Sequence, residues 1–264
     1  MFLLHGTPGS RSGPKPRPGV LHRLGIRLIS YDRPGYGGST PRPGRNVADA
    51  ANDVAMIADD LGLDRFSVVG RSGGGPHALA CAALRPERVV RTAVLVCFAQ
   101  PDAAGLEYFR GMNGGNARDF AAAAVDPLRL VESLRLQAEQ TRRDPDSLLQ
   151  RLEAEMTWPD RQVVQDLGIR RLLHQAYREA LRSGPDGWID DVLALSRDWG
   201  FRLSDIDGPV RLWHGEQDNF APASHTRWLA RQIRNAEVLV EPGAAHFGSV
   251  ASLPAMLDWL AGWT

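Results

Sequence analysis

Six short apolar runs alternate with segments of helical spacing along this 264-residue chain, and that alternation restricts the fold more than any other feature. Residues 1–4, 26–31, 66–69, 89–96, 210–213 and 237–240 are short and apolar or β-branched. They have the pattern of strands buried on both faces. Residues 47–61, 77–84, 226–233 and 252–260 carry apolar positions at helical spacing. Strand–helix–strand alternation predicts an α/β chain whose mostly parallel, doubly wound sheet is covered by helices on both faces.

The pattern breaks between about residues 100 and 205, where no convincing strand occurs. Residues 126–156, rich in Leu, Arg, Glu and Gln, predict one or two amphipathic helices, and residues 166–183 another. A helical insert between two strands of one sheet predicts a cap over a crevice. The expected organisation is therefore a core from residues 1–99 and 206–264, with a helical cap at 100–205. The Pro-, Gly- and Arg-rich stretch at residues 11–19 reads as a surface loop.

Composition excludes several functions. Thirty-one Lys and Arg balance 31 Asp and Glu, which removes the basic footprint of a nucleic-acid binder. The 43% hydrophobic content suits a soluble globular chain. Two cysteines, Cys81 and Cys97, are too few for a disulfide scaffold or a cysteine metal site, and read as core residues in a reducing compartment. No apolar run approaches the ~20 residues needed to span a bilayer. The first residues lack the basic lead-in of a signal peptide. A cytoplasmic location is expected, with no membrane, metal or organic cofactor.

The strongest chemical signal is Gly70-Arg71-Ser72-Gly73-Gly74, directly after the run 66–69 and before a helical pattern. A Ser at a tight strand-to-helix turn is held above the sheet edge. Small residues two before and two after it let strand and helix pass closely. The helix N-terminus then aims free N–H groups at charge forming beside the Ser. This is the pattern of a nucleophile. The G-x-G-x-x-G fingerprint and the Walker lysine of phosphate-binding loops are absent.

Acyl transfer needs two N–H donors for the developing oxyanion. Gly73 can supply one. His5-Gly6-Thr7-Pro8-Gly9, at the end of the first run, can supply the other. Pro8 has no N–H, which leaves Thr7 or Gly6. Among seven histidines, His246 stands in a small-residue loop before the last helix, where its ring can swing toward Ser72 as a general base. An orienting carboxylate is available at Asp218, beside the Gly215 turn, or at Asp102, past residues 89–96. Asp218 satisfies the chain order Ser…Asp…His.

Together these segments, with Asp32-Arg33-Pro34-Gly35-Tyr36-Gly37-Gly38-Ser39 and His214-Gly215-Glu216-Gln217-Asp218, resemble the α/β-hydrolase superfamily. The resemblance covers the chain outside the insert. It is greatest to the capped branch containing proline iminopeptidase-like enzymes, esterases and lactone hydrolases. It implies a triad of Ser72, Asp218 and His246, with Thr7 and Gly73 as oxyanion donors and Asp32 in a structural turn. Family members usually begin with two further strands, so the chain reads as starting within the third, and a natural start upstream of Met1 is expected. Thr7 also stands where the peptidase branch often has a second Gly.

The expected function is hydrolysis of a small-molecule carboxylic ester or lactone through an acyl-enzyme. The alternative is an aminopeptidase using cap carboxylates such as Glu153, Glu155, Asp190 or Asp191 to hold an ammonium. A third reading is a non-catalytic ligand receptor on the same fold. Arg71, His77, Tyr108, Trp158 and Trp188 are the expected pocket residues, with Phe109, Met112, Met156 and Trp199 as further apolar candidates.

Overall fold

The computed structural model describes residues 1–262, so the last two residues of the expected 206–264 segment lie outside the described residues. The chain runs β1 (Phe2–Leu4), α1 (Pro18–Arg23), α2 (Ala50–Asp60), β2 (Phe66–Arg71), α3 (Gly74–Leu84) and β3 (Val89–Leu95). Six helices follow: α4 (Gly114–Val125), α5 (Pro127–Arg143), α6 (Asp146–Glu155), α7 (Trp158–Gln165), α8 (Leu167–Ala180) and α9 (Asp186–Leu195). The sheet then resumes with β4 (Val210–Gly215), α10 (Ala223–Gln232), β5 (Ala236–Glu241) and α11 (Ser249–Ala261).

The five strands pair in the order β1-β2-β3-β4-β5, all parallel. Alternation along each strand divides the core. Phe2, Leu4, Val68, Val94 and Leu212 join α2, α3 and α10 on one face. Leu3, Val69, Leu95 and Trp213 pack on Leu253, Met256, Leu257 and Leu260 of α11 on the other. Two buried faces are what the uninterrupted apolar runs require. Cys81 and Cys97 are free and buried. Among the described residues, no helix is long and apolar enough to cross a membrane.

One expected strand is reduced. Residues 26–31 form a single bridge, Ile29 to Phe2, held by Leu3 N–H to Ile29 O and Ile29 N–H to Met1 O, each 2.8 Å. Beyond the bridge, Leu3 O accepts the Ser30 hydroxyl at 3.0 Å.

The insert begins its helices with local caps. Asn113 Oδ1 accepts Asn116 N–H, Asp126 Oδ1 accepts Arg129 N–H ahead of Pro127, and Asp166 Oδ1 accepts Ile169 N–H. Its own core gathers Leu130, Leu134, Leu149, Leu173 and Trp188 around Tyr36. Three of its helices, α4, α7 and α9, were not expected. α4 is rich in Ala and Gly and α9 is buried on nearly every side, which blurs a two-sided pattern, while α7 has only eight residues over which to show one.

Candidate active site

The turn at Ser72 follows from close packing. Ser72 adopts φ 54°, a left-handed conformation rare for a side chain with Cβ. Its N–H donates to Leu95 O (2.8 Å) and its carbonyl accepts Gly75 N–H (2.8 Å), which fixes the turn at both ends. A Cβ on Gly70 would lie 2.8 Å from Gly75 Cα, and one on Gly74 would lie 2.7 Å from the Leu4 carbonyl carbon. Glycine at both positions is therefore imposed by backbone passing backbone.

The loop after β1 lies against this turn. A Cβ on Gly73 would come within 2.8 Å of Thr7 Cβ, so the Thr7 side chain packs directly on the Gly73 backbone. Thr7 is held from behind: its Oγ1 donates to Asp191 Oδ2 at 2.5 Å. Arg33, 1% exposed, donates to His5 O (2.6 Å) and Gly6 O (3.0 Å), and its guanidinium pairs with Asp191. Arg45 reaches the same carboxylate at 2.6 Å and Tyr36 Oη donates to it at 2.9 Å. Burial alone would raise the Asp191 pKa, but Arg33 and Arg45 outweigh it and hold the carboxyl well below the usual range.

His77 stands behind Gly73. Its Nδ1 donates to Gly73 O at 2.8 Å, since a carbonyl can only accept. Burial first, then Arg33, lowers its pKa to about 3, so it is neutral at physiological pH.

His246 follows β5 in a 3-10 turn before α11. Its Nδ1 lies 2.8 Å from Asp218 Oδ2, which fixes the ring and leaves Nε2 as the free nitrogen. Asp218 Oδ1 accepts the N–H groups of Phe220 (2.8 Å) and Ala221 (3.0 Å). Burial opposes ionisation of Asp218, but His246 and a hydrogen bond from His214 outweigh it and drive its pKa below the ordinary carboxylate value. His214 Nε2 lies 3.2 Å from Asp218 Oδ2. The backbone around His246 is anchored from the insert, because Asp160 of α7 accepts His246 N–H (3.2 Å) and Phe247 N–H (2.7 Å).

Ser72 and His246 line one cavity of about 830 Å³, together with Gly6, Thr7 and side chains of the insert. A hydroxyl and an imidazole whose far nitrogen is bound to a carboxylate, facing one largely apolar cavity, can support acyl transfer. Of the expected pocket residues, Arg71 and Trp188 line this cavity. His77 lies behind it. Tyr108 donates to Ala99 O at 3.4 Å and stacks edge-on with His225, away from the lining. Trp158 opens α7 with 71% of its surface exposed, because the helix turns Pro159 and Asp160 inward instead. Asp102, the rival acid, is exposed and outside the cavity, as is Phe109. Trp199 belongs to the core beneath α2 and α3.

Among the carboxylates considered for an ammonium, Asp191 is consumed by two arginines, and Glu153 pairs with Arg170. Asp190 does not reach the cavity. Glu155 does line it, with Oε2 accepting Gly115 N–H at 2.9 Å. Sequence reasoning missed Asp160 and the buried role of Arg33. The available signals were Pro159-Asp160 at a helix start and an Arg inside an otherwise turn-forming Asp-Arg-Pro-Gly.

A parallel sheet with a left-handed serine turn at its carboxyl end, under a helical insert, defines an α/β architecture of the hydrolytic type. A family model for the alpha/beta hydrolase fold matches residues 1–250, and the chain belongs to that family. It is 24% identical over 251 residues to the bifunctional esterase/perhydrolase DCH of Acinetobacter calcoaceticus, covering 93% of this chain and 84% of the relative. It is also 24% identical over 257 residues to a 2-hydroxy-6-oxononadienedioate/2-hydroxy-6-oxononatrienedioate hydrolase of Pseudomonas putida, covering 94% and 81%. In fold it resembles the enol-lactonase of Burkholderia xenovorans LB400, with a TM-score of 0.70 at 17% identity over 98% of this chain and 89% of that one.

Proposed function

We propose that this protein is a serine hydrolase that cleaves a small-molecule carboxylic ester or lactone through an acyl-enzyme. The observation that carries the reading is the convergence of Ser72, in its left-handed turn, and the His246–Asp218 pair on one cavity. Ser72 Oγ attacks the acyl carbon as His246 Nε2 takes its proton. The N–H groups of Thr7 and Gly73 receive the oxyanion. His246 then returns the proton to the leaving oxygen, and a water activated by the same nitrogen releases the acid. Asp218 holds the tautomer and stabilises the imidazolium. The names of the relatives, an esterase/perhydrolase and an enol-lactonase, support acyl substrates of this kind. Residues 100–205 act as the cap that selects the substrate.

The test is covalent labelling with a fluorophosphonate probe and turnover of p-nitrophenyl esters. Labelling confined to Ser72, with ester turnover lost in Ser72→Ala, is expected. A protein that is neither labelled nor active on any ester or lactone of a broad panel contradicts the reading.

A further inference from the structure

Arg71 is the last residue of β2 and the immediate neighbour of Ser72, so their Cα atoms stand about 3.8 Å apart. Its side chain lines the cavity and lies over the Phe247 ring, with Cζ 5.3 Å from the ring centroid. Nε donates to Ser249 Oγ at 2.7 Å, and the Ser249 hydroxyl donates in turn to His246 O. The Nη2 group is buried and has no hydrogen-bond partner among the described residues.

Arg151 of the same lining likewise has a buried Nη2 with no partner among the described residues, whereas two buried arginines outside the lining are treated differently. Arg33 and Arg45 both pair with Asp191. The groups that act on Arg71 from a distance are Tyr177, Asp160 and Asp218. Burial pushes the Tyr177 phenol up to about 12, so it carries no charge at neutral pH, and the two carboxylates are committed elsewhere, one to two backbone N–H groups and the other to His246. Burial lowers the Arg71 pKa, as expected for a cation short of counter-charge, although a guanidinium stays protonated. A buried charge with unfilled donors is costly unless an anion completes it. The planar fork of Arg matches the two oxygens of a carboxylate.

We propose that Arg71 binds a carboxylate of the substrate, so that the preferred ester or lactone carries an ionised carboxyl group a few carbon atoms from the reacting carbonyl. This assignment rests on the hydrolase reading above and adds a substrate class to it. The apolar lining from Phe98, Leu130, Leu148, Trp188 and Phe220 then holds the carbon skeleton while Arg71 fixes its charged end.

The experiment compares kcat/KM for mono-p-nitrophenyl adipate, which carries a terminal carboxylate, with that for p-nitrophenyl hexanoate, its neutral counterpart of equal acyl length. The wild type should favour the adipate ester by about tenfold or more, the scale of a hydrogen bond to a charged group. In Arg71→Met the ratio should fall to near one. Arg71→Lys, which keeps the charge and loses the fork, should give an intermediate ratio and serves if the Met variant does not fold. A wild-type ratio near one, or a ratio unchanged in both variants, overturns the assignment. If the wild type cleaves neither ester and Ser72 resists the fluorophosphonate, the hydrolase reading has failed. Calorimetry with adipate then decides on Arg71: binding to wild type that is lost in Arg71→Met upholds the anion site, and absence of binding to wild type removes it.

Discussion

Asp160, on a helix of the insert, accepts the backbone N–H of His246 at 3.2 Å and that of Phe247 at 2.7 Å. The carboxylate thus sets the position of a loop that belongs to the sheet side of the molecule. In Asp160→Asn only one side-chain oxygen remains to accept, and one of the two N–H groups loses its partner. We expect kcat to fall by roughly ten- to a hundredfold through displacement of the imidazole, with a smaller change in KM. Steady-state kinetics on a neutral ester checks this, and wild-type kcat would show that the loop holds itself.

The same residue gives a pH signature. Burial raises the Asp160 pKa from the usual 3.8 to about 6, in spite of His246 and the two N–H donors. The folded state therefore binds this proton more tightly than the unfolded chain. The contribution to stability is present below the ordinary carboxylate pKa and is lost as pH rises toward 6. Two pKa units correspond to about 3 kcal/mol. Urea unfolding of wild type and Asp160→Asn at pH 4 and pH 7 should show the wild type losing stability relative to the variant by up to that amount. An equal difference at both pH values contradicts it.

Ser72→Ala should reduce ester turnover by on the order of 10³-fold or more while leaving the melting temperature close to wild type. A residual rate from the oxyanion donors is compatible with this. Near-normal activity is not.

Asp218→Asn should cost about 10⁴-fold in kcat, because the amide disturbs the tautomer that His246 needs. Asp102→Asn, at an exposed site outside the cavity, should stay within about twofold, in keeping with the small effect of surface substitutions. The reverse ranking would move the orienting acid to Asp102.

Asp191→Asn leaves two buried guanidinium groups, Arg33 and Arg45, facing a neutral amide. Breaking such a buried set costs about 3–5 kcal/mol. Chemical denaturation should show a loss of this size, with activity falling as Thr7 and the Gly6 carbonyl lose their backing. Unchanged stability would mean that the arginines are satisfied by backbone carbonyls alone.

The sheet was legible because each buried strand is a contiguous apolar run bounded by turn residues, as at 66–69 and 210–213. Ser72, Thr7, Gly73, Asp218 and His246 were legible as candidates because local chemistry marks them: close-packing glycines, a proline without N–H, and a loop before the last helix. Ile26–Tyr31 misled because apolar content alone does not count ladder partners, and this segment makes a single bridge to Phe2. Trp158 misled because aromatic character does not say which way a helix faces. Asp160, Arg33 and Asp191 were hidden for a different reason. A charged residue in isolation looks solvated, and only the meeting of segments more than 80 positions apart gives each its buried partner.

The two insert carboxylates, Asp160 and Asp191, grip two loops that line the cavity, one through the His246 backbone and the other through the Thr7 hydroxyl, with Arg33 beside it. A protein engineer who exchanged this insert for a foreign one to change substrate range would therefore also remove the fasteners of both cavity-lining loops. A chimera would need acids transplanted at both positions before its new pocket could be judged.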